Sequence, residues 1–307
     1  MAGKVFISCG QRLGKEKKIA LAVKKLLKSK FQLDSYIAFK VQGLNDIMTI
    51  TKELRSSDYY LFIDFVRRQK QPEDFHISLF THQELALAHH LGFKDMIALQ
   101  QEGAPSDGFI RYLLINPEPF RGKVDLLAKL MKLVRAKRWS PGFSRNLVIV
   151  EQGFTPIIRY RDHTGECTAQ VWEARIQNRR PDAAAVGAVC ILDHINKRDG
   201  TDVPSPDRSY LKWSGQAGYE RAILPKDYAV IDLFALRTDR PGIFLLSLRD
   251  TPREPIVTED GEYKLFYKLF SQGFPLLEFV VNVRLRWHKP TPIGWKNSTK
   301  VRLLTST

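Results

Sequence analysis

The feature that most constrains this chain is a change of hydrophobic period near residue 140. Before it, short continuously apolar runs alternate with amphipathic stretches. After it, apolar residues recur at every second position. One sheet does not serve both patterns. Continuously apolar strands are buried on two faces and belong to parallel sheets covered by helices, whereas alternating strands bury a single face. Two cores are therefore expected, and 307 residues are enough to build them.

In the first half the apolar runs are Val5–Ser8, Tyr36–Phe39, Tyr59–Ile63, Met96–Leu99 and Tyr112–Ile115, read as five strands. Helical spacing appears over Lys15–Lys30, Asn45–Arg55, Phe80–Leu91 and Val124–Val134, with Gly92 where a left-handed cap is usual. This alternation predicts an α/β domain over 1–136 with a parallel sheet, whose ligands lie at the carboxyl ends of the strands. In the second half, Trp172–Gln177 and Leu277–Trp287 alternate strictly apart from Val280. Further strand-like runs are Val186–Leu192, Tyr228–Leu236, Ile243–Leu248 and Lys264–Phe270, separated by turn pairs such as Asp199-Gly200 and Pro241-Gly242. Seven or so strands without a helix predict an all-β domain over 145–307, an antiparallel, immunoglobulin-like β-sandwich. Basic, Pro- and Gly-containing residues 137–144 read as the linker.

The net charge of +15 suits a polyanion or an anionic surface as a partner, although nucleic acid is not the favoured reading. Residues 1–140 hold 24 basic and 14 acidic side chains, and seven of the lysines lie in Lys15–Lys30. That stretch reads as a helix with Ile19, Ala22, Val23, Leu26 and Leu27 inward and a solvated lysine face outward. No run reaches the roughly 18–20 apolar residues of a membrane-crossing helix. The opening runs straight into an apolar strand, so no signal peptide and a cytoplasmic location are expected. Cys9, Cys167 and Cys190 are read as free thiols. His82 and Glu84 match half of the zinc-deaminase signature, but no P-C-x-x-C accompanies them; His89 and His90 diverge by about 100° on a helix. No metal is expected, and the phosphate-binding and nucleophile-elbow glycine motifs are absent from the sequence.

Taken in order, residues 1–136 resemble a TIR domain. Val5-Phe6-Ile7-Ser8 is similar to that family's opening strand, followed here by Cys9-Gly10-Gln11-Arg12. Lys40–Asp46, with Gly43, falls where the family's mobile loop after the second strand lies. Phe80-Thr81-His82-Gln83-Glu84-Leu85 resembles the W-x-x-x-E-[LI] signature with Phe in the place of Trp. The resemblance implies a flavodoxin-like parallel sheet, a catalytic Glu84, and substrate contacts from Ser8, Gly10, Gln11, Arg12, Phe39, Gly43, Asp46 and Phe80. It also implies NAD+ glycohydrolase activity, with NAD+ as substrate and no cofactor, self-association through TIR domains, and a role in bacterial antiviral defence. Two alternatives stay open: a non-catalytic TIR scaffold, and an enzyme like the nucleoside deoxyribosyltransferases, which share the alternating fold and a glutamate nucleophile. The β-rich half reads as a regulatory or docking module for an unknown trigger.

The chemistry implied is economical. Nicotinamide leaves as a neutral base while positive charge builds on the ribose, and a fixed carboxylate stabilises that charge. Arg12 and the turn after the first strand offer a guanidinium and backbone amides to a diphosphate. Asp46 offers a ribose hydrogen bond or a favourable charge at its helix N-terminus. Cys9 has no base beside it in the sequence and reads as a packed thiol.

Overall fold

A computed structural model describes residues 3–10, 14–38, 44–66, 79–104, 109–113, 116–162, 165–204, 209–246, 252–287 and 299–305. The chain divides into two compact units, Met1–Arg145 and Asn146–Ser306.

In the first unit the elements are β1 (Lys4–Cys9), α1 (Gly14–Phe31), β2 (Asp34–Ile37), α2 (Leu44–Arg55), β3 (Tyr59–Asp64), α3 (Leu79–His90), β4 (Met96–Gln101), α4 (Phe109–Tyr112), β5 (Glu118–Phe120) and α5 (Lys123–Ala136). The five strands are parallel in the order β2-β1-β3-β4-β5. Side-chain alternation along β1 and β3 gives each face its own core. Val5, Ile7, Cys9, Tyr59, Leu61 and Ile63 pack with Ala20, Val23 and Leu27 of α1 and Leu126, Leu130 and Val134 of α5. Phe6, Tyr60 and Phe62 pack on the opposite face with Ile50 and Leu54 of α2, Leu85 and Ala88 of α3, and Ile110 of α4. Every residue of β3 is buried, as its apolar run demands.

Two expectations are corrected here. The fifth strand is Glu118–Phe120, not Tyr112–Ile115. Ile110 is buried and Tyr112 exposed in the short helix α4, and residues 114–115 lie outside the described set. A short apolar run is ambiguous between helix and strand, and Tyr112 here closes a helix. The second correction concerns the linker. Trp139, Ser144 and Arg145 are buried, and 139–145 is the closing strap of the first unit rather than an exposed connector. Tyr59 stacks on Trp139 (4.6 Å between centroids) and on Phe143 (5.0 Å). The Ser140 N–H donates to the Tyr59 hydroxyl (2.9 Å), and the Gly3 N–H to the Pro141 carbonyl (2.8 Å).

The second unit contains β6 (Leu147–Phe154), β7 (Ile158–Asp162), β8 (Gly165–Asn178), β9 (Ala185–Lys197), β10 (Asp202–Val203), β11 (Ser209–Tyr210), β12 (Arg221–Ile223), β13 (Tyr228–Arg237), β14 (Ile243–Leu246), β15 (Pro252–Val257), β16 (Gly261–Gln272), β17 (Leu277–Leu285) and β18 (Lys300–Thr305). These form two antiparallel sheets. One is ordered β10-β9-β16-β17-β18, with β11 and β12 also on β9; the other is β15-β14-β13-β8-β6, with β7 on β8. The inward residues of both, among them Trp172, Ala174 and Ile176 of β8 and Tyr263, Leu265, Tyr267 and Leu269 of β16, share one core. The period of two is thus a sheet burying one face. A bulge between Asp232 and Phe234 breaks the alternation, so that both Leu233 and Phe234 are buried. Gly242, at φ +135°, meets Pro255 and the Val257 carbonyl so closely (2.9 Å from where a Cβ would lie) that only glycine fits. All three cysteines are buried free thiols.

Candidate functional site

The order β2-β1-β3-β4-β5 reverses direction between β1 and β3, the switch point at whose carboxyl ends open α/β sheets place their ligands. Ser8 stands next to last in β1, opposite Phe62 of β3, on the face covered by α2 and α3. Helix α3 lays Thr81, Leu85 and Ala88 (i, i+4, i+7) toward the sheet. Glu84, three residues after Thr81, flanks this stripe and turns toward β1. The Ser8 hydroxyl donates to Glu84 Oε2 at 2.5 Å. The helix ends at Gly92 (φ +74°), where the Gly92 and Phe93 amides bond back to the His89 and Ala88 carbonyls. This is a Schellman close that fixes the length of the helix.

The environment of Glu84 is dominated by burial, which pushes its carboxyl up to about 7 against the opposing Ser8 hydrogen bond. Tyr60, fully buried below Ser8 on the same face, has its phenol pushed well above the usual range by burial and then by the Glu84 charge. His82 is buried with its ring edge-on to Phe62 (5.5 Å, 84°), and burial lowers its imidazole, leaving it neutral at pH 7. One rung further toward the strand ends, Asp64 and Gln100 are also buried. The Asp64 carboxylate accepts from the Phe65 N–H (3.0 Å) and from Gln100 Nε2 (3.2 Å). The apolar face thus becomes polar at its carboxyl edge, through Ser8, Glu84, Asp64 and Gln100.

Of the residues implied by the sequence, Ser8 and Glu84 are brought into contact, and Gly10 follows directly, buried, after β1. Asp46 and Phe80 lie on α2 and α3, but their side chains are outside the described set. Gln11, Arg12, Phe39 and Gly43, with the 40–43 part of the loop after the second strand, lie outside the described residues altogether. Sequence reading passed over Tyr60, Asp64 and Gln100. The signal for Asp64 was present: a charge closing the apolar run Tyr59–Ile63. Among the described residues no group of three or more His, Cys, Asp or Glu side chains gathers as a metal site would.

The sequence matches no family model and no curated protein. Among solved structures, Northeast Structural Genomics Consortium target SoR45 is similar over 44% of this chain and 81% of its own length. The identity is 12% and the TM-score 0.22. A likeness of that depth transfers neither fold nor function.

Proposed function

We propose that the chain is a TIR-type NAD+ glycohydrolase whose first unit holds the site and whose second unit regulates or docks it. The observation that carries this reading is the Ser8–Glu84 pair at the carboxyl end of β1, beside the switch point between β1 and β3. The C1′–N bond breaks heterolytically, and its electron pair leaves with the nicotinamide nitrogen as a neutral base, so no acid is required. Glu84 as carboxylate stabilises the cationic ribose and takes the proton of the water that adds to C1′. With its carboxyl near 7, Glu84 is about half ionised at neutral pH in the free protein. The nicotinamide ring, cationic before cleavage, draws the carboxyl toward its charged form on binding. Ser8 holds one carboxylate oxygen in place.

The rest of the reading extends the same proposal: assembly through the TIR-like unit completes the site, and the setting is cytoplasmic, in antiviral defence. A deoxyribosyltransferase-like enzyme is the second reading. The observation favouring it is a second carboxylate, Asp64, buried on the face that carries Glu84. Both are tested by incubating the full chain, from nanomolar to tens of micromolar, with NAD+ or with a 2′-deoxynucleoside plus a free base. The proposal expects nicotinamide release that rises more than linearly with protein. Base exchange without nicotinamide release selects the second reading, and inertness toward both leaves a scaffold.

A further inference from the structure

Helix α1 carries seven lysines, at 15, 17, 18, 24, 25, 28 and 30, and every one is exposed. They supply most of the excess charge of residues 1–140. The one acidic residue of the helix, Glu16, is buried, as are Ala20, Val23 and Leu27. At about 100° per residue, Lys17, Lys18, Lys24, Lys25 and Lys28 fall within an arc of roughly 120° opposite that buried stripe. From Lys17 to Lys28 the arc is about 16 Å long.

This arrangement works against the helix itself. Lys15, Lys17 and Lys18 crowd the first turns, where the macrodipole is positive and disfavours cations. Lys24 and Lys28 are like charges at i, i+4, and Lys15/Lys18 and Lys25/Lys28 at i, i+3, and each pair destabilises the helix. Lys28 is compensated by Asp34 at 2.5 Å. Packing of Ala20, Val23 and Leu27 into the sheet offsets the rest.

We propose that the outer face of α1 binds the phosphate backbone of duplex nucleic acid. The side chains are lysines, compact point charges without the planar fork or ring that reads or stacks on bases, so binding is independent of sequence. About 16 Å of duplex axis carries about nine phosphates, ample for five lysines. A lipid surface fits less well. An interfacial helix buries its apolar face in the bilayer, and here that face is committed to the protein core, leaving Leu21 (47% exposed) as the apolar group within the arc.

The test uses the full chain and a labelled 30-base-pair DNA duplex of mixed sequence, followed by fluorescence anisotropy from 50 to 200 mM salt. Five phosphate contacts give a slope of log affinity against log salt of about −4.5. The triple variant Lys18→Gln, Lys24→Gln, Lys25→Gln loses about 2.7 of that slope and binds at least tenfold more weakly at 100 mM. Its melting temperature is unchanged or higher, because like-charge repulsion is relieved. Three results overturn the proposal: no binding at 50 mM salt with tens of micromolar protein, a slope the triple variant leaves unchanged, or lysine-dependent binding to phosphatidylserine vesicles but not to the duplex.

Discussion

Two carboxylates stand at opposite ends of the same parallel sheet, Asp58 buried and Glu84 half-buried, and they are treated differently. Asp58 sits at the amino end of β3. It accepts the Lys4 N–H (2.9 Å), the Ser144 hydroxyl (2.9 Å) and the Arg145 N–H (3.0 Å). Burial still raises its carboxyl, but these donors and the Arg145 charge all pull the other way. Arg145 itself donates to the last carbonyl of α2, at Arg55 (3.1 Å), and to the Leu91 carbonyl beyond α3 (2.5 Å), and lies 3.9 Å over the Phe93 ring. Glu84, at the carboxyl end, is opposed in its burial by the Ser8 hydrogen bond, and its carboxyl is pushed up to about 7. The amino end is saturated with donors, which is how a fold makes a clasp. The carboxyl end leaves a carboxyl poised near neutrality, which costs stability and suits chemistry.

Substitutions sharpen this contrast, beginning with the largest effect. Glu84→Gln keeps shape and removes charge, so nicotinamide release falls by about 10²–10³. A variant that turns over like the wild type breaks the comparison from the functional side. Asp58→Ala strands two buried donors and the half-buried Lys4 N–H and removes the charge facing Arg145, and lowers the unfolding free energy by about 3 kcal/mol in urea melts. A loss under about 1 kcal/mol removes the distinction between clasp and site.

The third prediction concerns pH. Glu84 has a folded pKa above its unfolded value of 4.5, so between about 4.5 and 7 the native state binds more protons than the unfolded one. Stability therefore falls as pH rises through that window. Relative to Glu84→Gln, the wild type loses about 3 kcal/mol from pH 4.5 to 8. Parallel stability curves for the two proteins contradict it. The smallest effect is expected for Ser8→Ala. Removing the donor that lowers the Glu84 carboxyl raises it further, and turnover at pH 7 falls about tenfold, recovering partly in more alkaline buffer.

The boundary between the two units was legible because burial on two faces and burial on one write different periods into the chain. Ser8 and Glu84 were chosen by another route, the resemblance of Val5–Ser8 and Phe80–Leu85 to a family's opening strand and glutamate signature, because a glutamate within a helix carries no signal of its own. The strap was not. Residues 137–144 were read by their basic, Pro- and Gly-rich composition, although Trp139 and Phe143, which close on Tyr59, were in plain view. Strand β5, three residues with a central proline, leaves no periodic trace, while Tyr112–Ile115 imitates one. Asp64 showed in the sequence as a charge closing an apolar run, but Gln100 became visible only once parallel pairing set it opposite Asp64. The thirteen strands among the described residues of the second unit exceed the expected seven or so because short pieces such as β10, β11 and β12 are held by pairing with β9 rather than by their own pattern.

The pH profile of kcat/KM for NAD+ tests most directly the claim that a half-buried, near-neutral Glu84 does the chemistry, because it reports the ionisation of the free enzyme. The account predicts turnover that rises with pH to a plateau, with an apparent pKa of about 7 that shifts upward in Ser8→Ala. A profile flat from pH 5.5 to 8.5, a limb near the ordinary glutamate value of 4.5, or no turnover at any pH contradicts it.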